Sequence, residues 1–478
     1  MIYNEQENKV SDIKIAYIGG GSTGWAWTFM SDLALEEQLS GSIYLYDINQ
    51  ELAKRNEKIG NKITESGVVG QWNYHATETL AEAIKDADFV VISILPGTFD
   101  DMDSDVHYLE KYGLYQSVGD TTGPGGLIRT LRTTPMFIEI GEAIKDHAPN
   151  SWVINYTNPM STCVQILYEV FPEIKAFGCC HEVFGTQEVL AGIVEKEYGL
   201  SDVKRTDIQV NVLGINHFTW FDYASYKGID LFPIYRKYVK ENFDEGYVNP
   251  DENWLNKSFA SANRVKFDLF NRFGLIAAAG DRHLAEFMPA NDYLADPETV
   301  ESWDFGLTTV DWRKEDLASR LAKSERLSSG EETFEVAHSG EEGILLIKAL
   351  CGLERVISNV NIPNRNLQIS NLPADAVVET NALFEHDAIR PIVAGEIPER
   401  ILSLIRPHVE NHSVIVEAAM NFNLDLVIEA FQRDPLVKDK IKDEDLEGIV
   451  INMIENTIDS LPVEWKQVIA TRKEKRAD

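Results

Sequence analysis

Positive charge is in short supply in this chain. Of 478 residues, 44 are Lys or Arg against 77 Asp or Glu, a net charge of −33. A field of that sign repels nucleic acid and anionic membrane at long range, which argues against either as a partner. It leaves room for an anionic small molecule, because a few basic groups in a desolvated pocket outweigh a screened distant field. Cysteine is also rare. Cys163, Cys179, Cys180 and Cys351 have neither the spacing of a disulfide scaffold nor that of a paired CxxC zinc site, and they suit a reducing compartment. No apolar run is long enough to cross a bilayer, and the opening MIYNEQENKV lacks the basic start and apolar middle of a secretory signal. The expectation is a cytoplasmic protein. Internal repeats and Pro/Gly/Ser linkers are missing too, so any domain boundary is soft.

What is present is the composition of a globular, enzyme-sized protein, 44% hydrophobic and 25% charged. The length exceeds one ordinary core and suggests two intimately packed domains or one very large α/β unit. The first half alternates short apolar runs with helical patterns, as βαβ units do. Strands are expected at Lys14 to Ile18, Ile43 to Asp47 and Phe89 to Leu95, with helices at Trp25 to Leu39 and Glu51 to Ser66. The glycine-rich loop from Gly119 to Gly126 reads as a turn that leads into a helix ending near Ile144. Trp152 to Tyr156 and Lys175 to Cys180 read as further strands. Ligands gather at the carboxyl ends of strands in open α/β sheets, so Asn158 and Cys180 are well placed for chemistry. Beyond about residue 206 the alternation weakens, although Val210 to Ile215 still reads as a strand. The fold class is α/β: a Rossmann-like parallel sheet over 11–205 that binds the nucleotide, then a mixed α/β catalytic, substrate and oligomerisation domain over 206–470.

The loop after the first strand, Gly19, Gly20, Gly21, Ser22, Thr23 and Gly24, satisfies GxGxxG. Glycines there allow a tight turn and let a pyrophosphate approach the next helix's N-terminus, whose N–H groups and dipole favour negative charge. Alone the motif is weak. Here it follows a strand and opens a helix, and Asp47 closes the second strand with a carboxylate that would accept ribose hydroxyls and repel a ribose phosphate. NAD is the expected cofactor rather than NADP.

Four later segments concentrate metal-capable and acid–base residues: 155–160 (NYTNPM), 179–183 (CCHEV), 214–220 (GINHFTW) and 278–287 (AAGDRHLAEF). Each has a bland reading by itself, Cys180 as inert core, His217 as a hydrogen-bonded core histidine, and Asp281 with Arg282 as a surface ion pair. Together with the nucleotide loop they resemble the family 4 glycoside hydrolases, from about residue 13 to at least residue 380 and in the family's order. The run Cys180, His181, Glu182, Val183 is similar to that of the α-galacturonidase subgroup.

The resemblance implies that Cys180 and His217 bind a divalent metal, typically Mn²⁺, with Asn158 touching substrate hydroxyls beside it. A thiolate and an imidazole are a soft pair for Mn²⁺, so substrate oxygens and water would complete the shell. Asp281 aligns with the base of the family's α-glycosidase branch, whereas other branches use a tyrosine. Where the phospho-α-glucosidase branch has an aspartate after the metal cysteine, this chain has His181, which leaves the general acid open between His181 and Glu182. The implied reaction is hydride transfer from sugar C3 to NAD⁺, removal of the C2 proton, departure of the C1 aglycone with acid assistance, water addition and return of the hydride. A homo-oligomer is expected on the same ground.

Two alternatives remain at this stage. One keeps the mechanism but takes a neutral α-galactoside or α-glucoside; the other is an NAD-dependent 2-hydroxy-acid dehydrogenase. A uronate substrate needs a cation nearby, and the motifs offer Arg129, Arg132 and Arg282, of which Arg282, beside Asp281, is expected to reach the sugar; the alternative for each is a contact with NAD phosphates or an internal carboxylate.

Overall fold

The computed structural model describes residues 1–247 and 261–477. Strands β1 (Ile2–Asn4), β2 (Lys9–Ile18), β3 (Leu39–Tyr46), β4 (Gln71–Ala76), β5 (Phe89–Ile92), β6 (Trp152–Asn155) and β7 (Lys175–Gly178) alternate with helices in the first half. Strands β4, β3, β2, β5, β6 and β7 lie side by side in that order, all parallel. The chain therefore works outward from β2 in one direction and then in the other, which opens a crevice above the β2–β5 junction. The central strand β5 is wholly apolar, in keeping with helices that cover both faces of the sheet. Phe89, Val90, Val91 and Ile92 are each at most 1% exposed, and burying each such side chain contributes about 1.5–3 kcal/mol.

The helix expected at Trp25 to Leu39 ends at Ala34. The segment after it turns, the Gln38 N–H bonding the Glu36 carboxylate at 2.7 Å, and Leu39 begins β3 with its side chain in the core. An apolar residue at the right helical spacing belongs here to the next strand, a choice that periodicity alone could not make. The other expected strands are present with ends shifted: β5 stops at Ile92, β6 at Asn155 and β7 at Gly178, leaving Asn158 and Cys180 in the loops beyond.

The second half does not build a wholly separate sheet. After β8 (Ile208–Ile215), β9 (Phe218–Tyr226), β10 (Ile229–Asp230) and β11 (Ile276–Ala277), which form a small antiparallel sheet, β12 (Val356–Pro363) docks antiparallel on β7 through Asn361 and Gly178. Strands β13 (Val377–Glu385) and β14 (Ala388–Pro391) continue that edge. The two sheets are tied by Asn381, whose Nδ2 donates to Val210 O at 2.6 Å. The β8–β9 hairpin is thus fixed beside the carboxyl ends of the parallel strands. Among the described residues no helix is long and apolar enough to cross a membrane.

Candidate active site

The glycine loop spans β2 and the helix Trp25–Ala34 at the crevice. Gly19 has φ +92°, and a Cβ there would stand 2.0 Å from Ser93 O, so only glycine fits. The N–H groups of Gly19 and Gly20 both donate to Tyr46 O at 2.9 Å. The helix beginning at Trp25 has no side-chain cap, leaving its first N–H groups for an anion. Ser22 Oγ accepts the Gly24 N–H at 3.3 Å, and Thr23 is buried beside it. Asp47 accepts the Gly21 N–H with Oδ2 at 2.9 Å and the Asn49 N–H with Oδ1 at 2.8 Å. Its carboxylate is held rigidly and keeps lone pairs for ribose hydroxyls. Two supports had no signal in the motif. Asn56 donates to Gly20 O and Ser22 O at 2.8 and 2.9 Å and accepts from Trp27 Nε1 at 2.8 Å. Arg320, from the helix Val310–Ser329, lays Nη1 where a Cβ of Gly24 would be 2.7 Å away.

A cavity of about 1420 Å³ runs from this loop to the residues of the other motifs. Gly19, Gly21 and Asp47 line one end, and Asn158, His181, Glu182, His217, Asp281 and Arg282 line the other. Cys180 lies buried behind His181. Burial, with Glu379 and Glu182 adding to it, pushes its thiol well above the ordinary range, so a thiolate there calls for a cation. Asn359 Nδ2 holds the Cys180 carbonyl at 3.0 Å.

His217 occupies the turn between β8 and β9 with φ +62°, a strained conformation for a residue with a Cβ. Its ring is 5% exposed. Thr121 Oγ lies 2.9 Å from His217 Nδ1 and donates to Asp120 Oδ1 at 3.0 Å. With the hydroxyl proton on Asp120, Nδ1–H donates to Thr121 and Nε2 keeps its lone pair, the arrangement that suits a metal-ligating histidine. Burial and the neighbouring His283, whose ring centroid is 3.9 Å away, lower His217 to about 3. It is neutral at neutral pH. The loop that reads as a turn in the sequence therefore supplies this relay.

Asp281 is fully buried. Its Oδ1 accepts the Lys266 N–H at 3.1 Å, at the start of the helix Arg264–Phe273, whose own N-cap residue Asn263 provides no side-chain cap. Its Oδ2 is buried without a hydrogen-bond partner. Burial raises the carboxyl to about 6, with the Lys266 cation and the helix N–H groups opposing. Lys266 is itself buried, its ammonium donating to Thr186 Oγ1 and Asn263 Oδ1 at 3.0 and 2.8 Å.

His181 and Glu182 separate in character. His181 Nδ1 lies 3.0 Å from Glu341 Oε1; burial alone would lower the imidazole, but Glu341 and Glu182 raise it to about 9. Glu182 accepts the Gly280 N–H at 2.6 Å. Burial would raise that carboxyl, and the facing rings of His283, His217 and His181 hold it at about 2. Asn158 Oδ1 is buried without a partner, and its carbonyl accepts Arg129 Nε at 3.0 Å. Arg282 donates through Nη2 to Ser117 O at 3.3 Å. Arg132, a cation offered by the sequence for a uronate, is instead buried in an ion pair with Asp105 and does not line the cavity. It pins two helices together and is unavailable to a ligand.

Among the described residues no three His, Cys, Asp or Glu side chains converge as a metal's donor set. The residues present nevertheless fit an open site of catalytic type, with a thiol, a tautomer-fixed imidazole and the unpartnered Asn158 oxygen leaving positions for substrate and water.

Residues 14–196 match the model of family 4 glycosyl hydrolases and residues 212–437 that of the family's C-terminal domain. The α-galacturonidase of Lachnoclostridium phytofermentans is 65% identical over 466 residues, 97% of this chain and 100% of that one. The chain belongs to family 4 of the glycosyl hydrolases. This family 4 enzyme superposes on the Bacillus subtilis protein LplD with a TM-score of 0.88 at 49% identity, covering 93% of this chain and 100% of the other. A 6-phospho-α-glucosidase from gut microorganisms, solved with NAD and Mn²⁺, shares the fold at a TM-score of 0.78 and 22% identity over 94% of this chain and 99% of that one.

Proposed function

We propose that the enzyme hydrolyses α-linked galacturonides with NAD⁺ and a divalent metal, Mn²⁺ for preference. The observation that carries this is one continuous cavity with a dinucleotide loop at one end and Asp281, His181 and His217 at the other. The substrate class follows the 65% identical α-galacturonidase, which is matched along its whole length. Residues 11–205 would hold the dinucleotide and supply Asn158, His181 and Glu182 to the sugar end, and residues 206–470 supply His217, Asp281 and Arg282. The four cysteines are unpaired and buried, in keeping with a cytoplasmic enzyme. A homo-oligomer is part of the same reading.

Bound NAD⁺ would supply reversible hydride acceptance at sugar C3, and the metal, held by Cys180 and His217, Lewis acidity beside it. The chain's own residues move the protons. Asp281 takes the C2 proton on Oδ2, the oxygen that no hydrogen bond occupies, while Oδ1 stays anchored on helix N–H groups. Its value near 6 leaves it ionised at neutral pH yet more basic than an exposed carboxylate. Between the two candidates for the acid, His181 fits better. It carries a proton and is oriented by Glu341, whereas Glu182 is committed as an ionised acceptor. Asn158 and Arg282 would position the ring.

The test is an activity comparison of purified enzyme on 4-nitrophenyl α-galacturonide and 4-nitrophenyl α-galactoside, with NAD⁺, Mn²⁺ and reductant. The reading expects the galacturonide to be cleaved with the higher kcat/KM and no net NADH to accumulate. Faster cleavage of the galactoside would overturn the substrate class, and stoichiometric NADH release would make the enzyme a dehydrogenase.

A further inference from the structure

The sugar end of the cavity is cationic in a chain whose net charge is −33. Arg129, Arg282 and Arg313 line it around Asp120. Arg129 is 5% exposed; its Nε is used by Asn158 O, while its Nη1 is buried without a hydrogen-bond partner. Arg313 Nε, reaching in from the helix Val310–Ser329, is likewise buried without one. The carboxylates that could neutralise this cluster are mostly committed elsewhere. Asp105 is taken by Arg132. Burial raises Glu286 to about 8 despite the Val118 and Gly119 N–H groups it accepts, so it is largely uncharged at neutral pH. Glu182 faces the histidines and the Gly280 N–H. Asp120 remains, held below the ordinary carboxylate range because Arg129 and Arg313 outweigh the effect of its burial. One carboxylate among several guanidinium groups leaves room for a second anion.

The other cations of the cavity are less suited. Lys266 is already bonded to Thr186 and Asn263 and stands in the field of Asp281, Glu182 and Glu188, where an added carboxylate would be repelled. Arg320 pairs with Asp316 at 2.8 Å and lies against Gly24. It sits seven residues from Arg313, roughly 10.5 Å along a helix, which places it at the pyrophosphate end.

We propose that Arg129 and Arg313 form the subsite that receives the C6 carboxylate of the galacturonate ring. The proposal rests on the α-galacturonide reading above. A guanidinium stays charged when buried and bonds a carboxylate in a directional fork. Arg129 also grips the backbone of Asn158, so carboxylate binding and the placing of the Asn158 side chain are mechanically joined. A neutral hexose would leave both buried donors unpaired, which turns this pair into a device for rejecting galactosides as well as for holding galacturonides.

The test uses Arg313→Gln and Arg313→Lys in the NAD⁺- and Mn²⁺-loaded enzyme, because Arg313 belongs to an exposed helix and its loss is tolerated by the fold more readily than that of Arg129. Four quantities are measured: KM for 4-nitrophenyl α-galacturonide, the inhibition constants of free galacturonate and free galactose, and the NAD⁺ dissociation constant. Arg313→Gln is expected to raise KM and the galacturonate constant about 30-fold, the loss of one hydrogen bond to a charged group. The galactose constant should move far less, and Arg313→Lys should recover part of the loss. Unchanged galacturonate inhibition, or equal weakening of galacturonate and galactose, overturns the subsite while leaving the substrate class intact. A wild-type enzyme that cleaves no galacturonide would fail the reading itself, before any variant is made.

Discussion

The two ends of the cavity are built in different ways. At the nucleotide end the working groups are backbone atoms of six consecutive residues, with one carboxylate, Asp47, bonded into the turn they make. At the sugar end they are side chains from segments scattered along the chain, several of them held by a partner far away in sequence. Thr121 and His217 are 96 residues apart and Ser117 and Arg282 are 165 apart. A contiguous backbone turn tolerates change around it but none within it. An assembly of side chains behaves the opposite way, because each member can be removed with the others left standing. The two ends are therefore expected to fail independently.

The largest effect expected is from Asp281→Asn. Removing the proposed base should lower kcat by about 10³-fold, and the NAD⁺ dissociation constant, followed by fluorescence titration, stays within about twofold of wild type if the ends are independent. Parallel loss of NAD⁺ binding would break the comparison. From the other side, Gly19→Ala forces a Cβ into Ser93 O at a positive φ and should weaken NAD⁺ roughly 30-fold or more. Cobalt(II) bound in place of Mn²⁺ should still show its thiolate charge-transfer absorption in that variant. Within the sugar end, Thr121→Val severs Asp120 from His217 and should cost about tenfold in metal affinity, with Thr121→Ser restoring it. The smallest effect sharpens the role of Lys266. In its proposed role Asp281 acts as the carboxylate, so kcat/KM should rise about tenfold per pH unit below its value of about 6 and level off above it. Because the Lys266 cation favours the ionised form, Lys266→Met should shift this acid limb to higher pH; a shift to lower pH would contradict the geometry.

That contrast also explains which features are legible in the sequence. The glycine loop and Asp47 are legible in the sequence because strand, loop, helix and acid follow one another within 47 residues. The parallel sheet is legible because runs such as Phe89–Ile92 are buried on both faces. Cys180, His217 and Asp281 stand out only through resemblance to a family, since each alone is an ordinary core residue. Nothing local marks Glu341 as the partner of His181, Lys266 as the cation beside Asp281, or Arg313 and Arg320 as two cations on one wall. They matter because β12 docks on β7 and the helix Val310–Ser329 crosses the crevice, and pairings of that range leave no periodic trace. The early end of the first helix has the same origin, for Leu39 is claimed by a strand partner rather than by its own helix.

The account turns on Asp281 removing a ring proton at C2, and hydrolysis in D₂O tests this most directly. 4-Nitrophenyl α-galacturonide turned over by the NAD⁺- and Mn²⁺-loaded enzyme should give galacturonate carrying deuterium at C2, read by proton NMR of the product. Galacturonate with an intact C2 proton would contradict the account and point to direct displacement at C1.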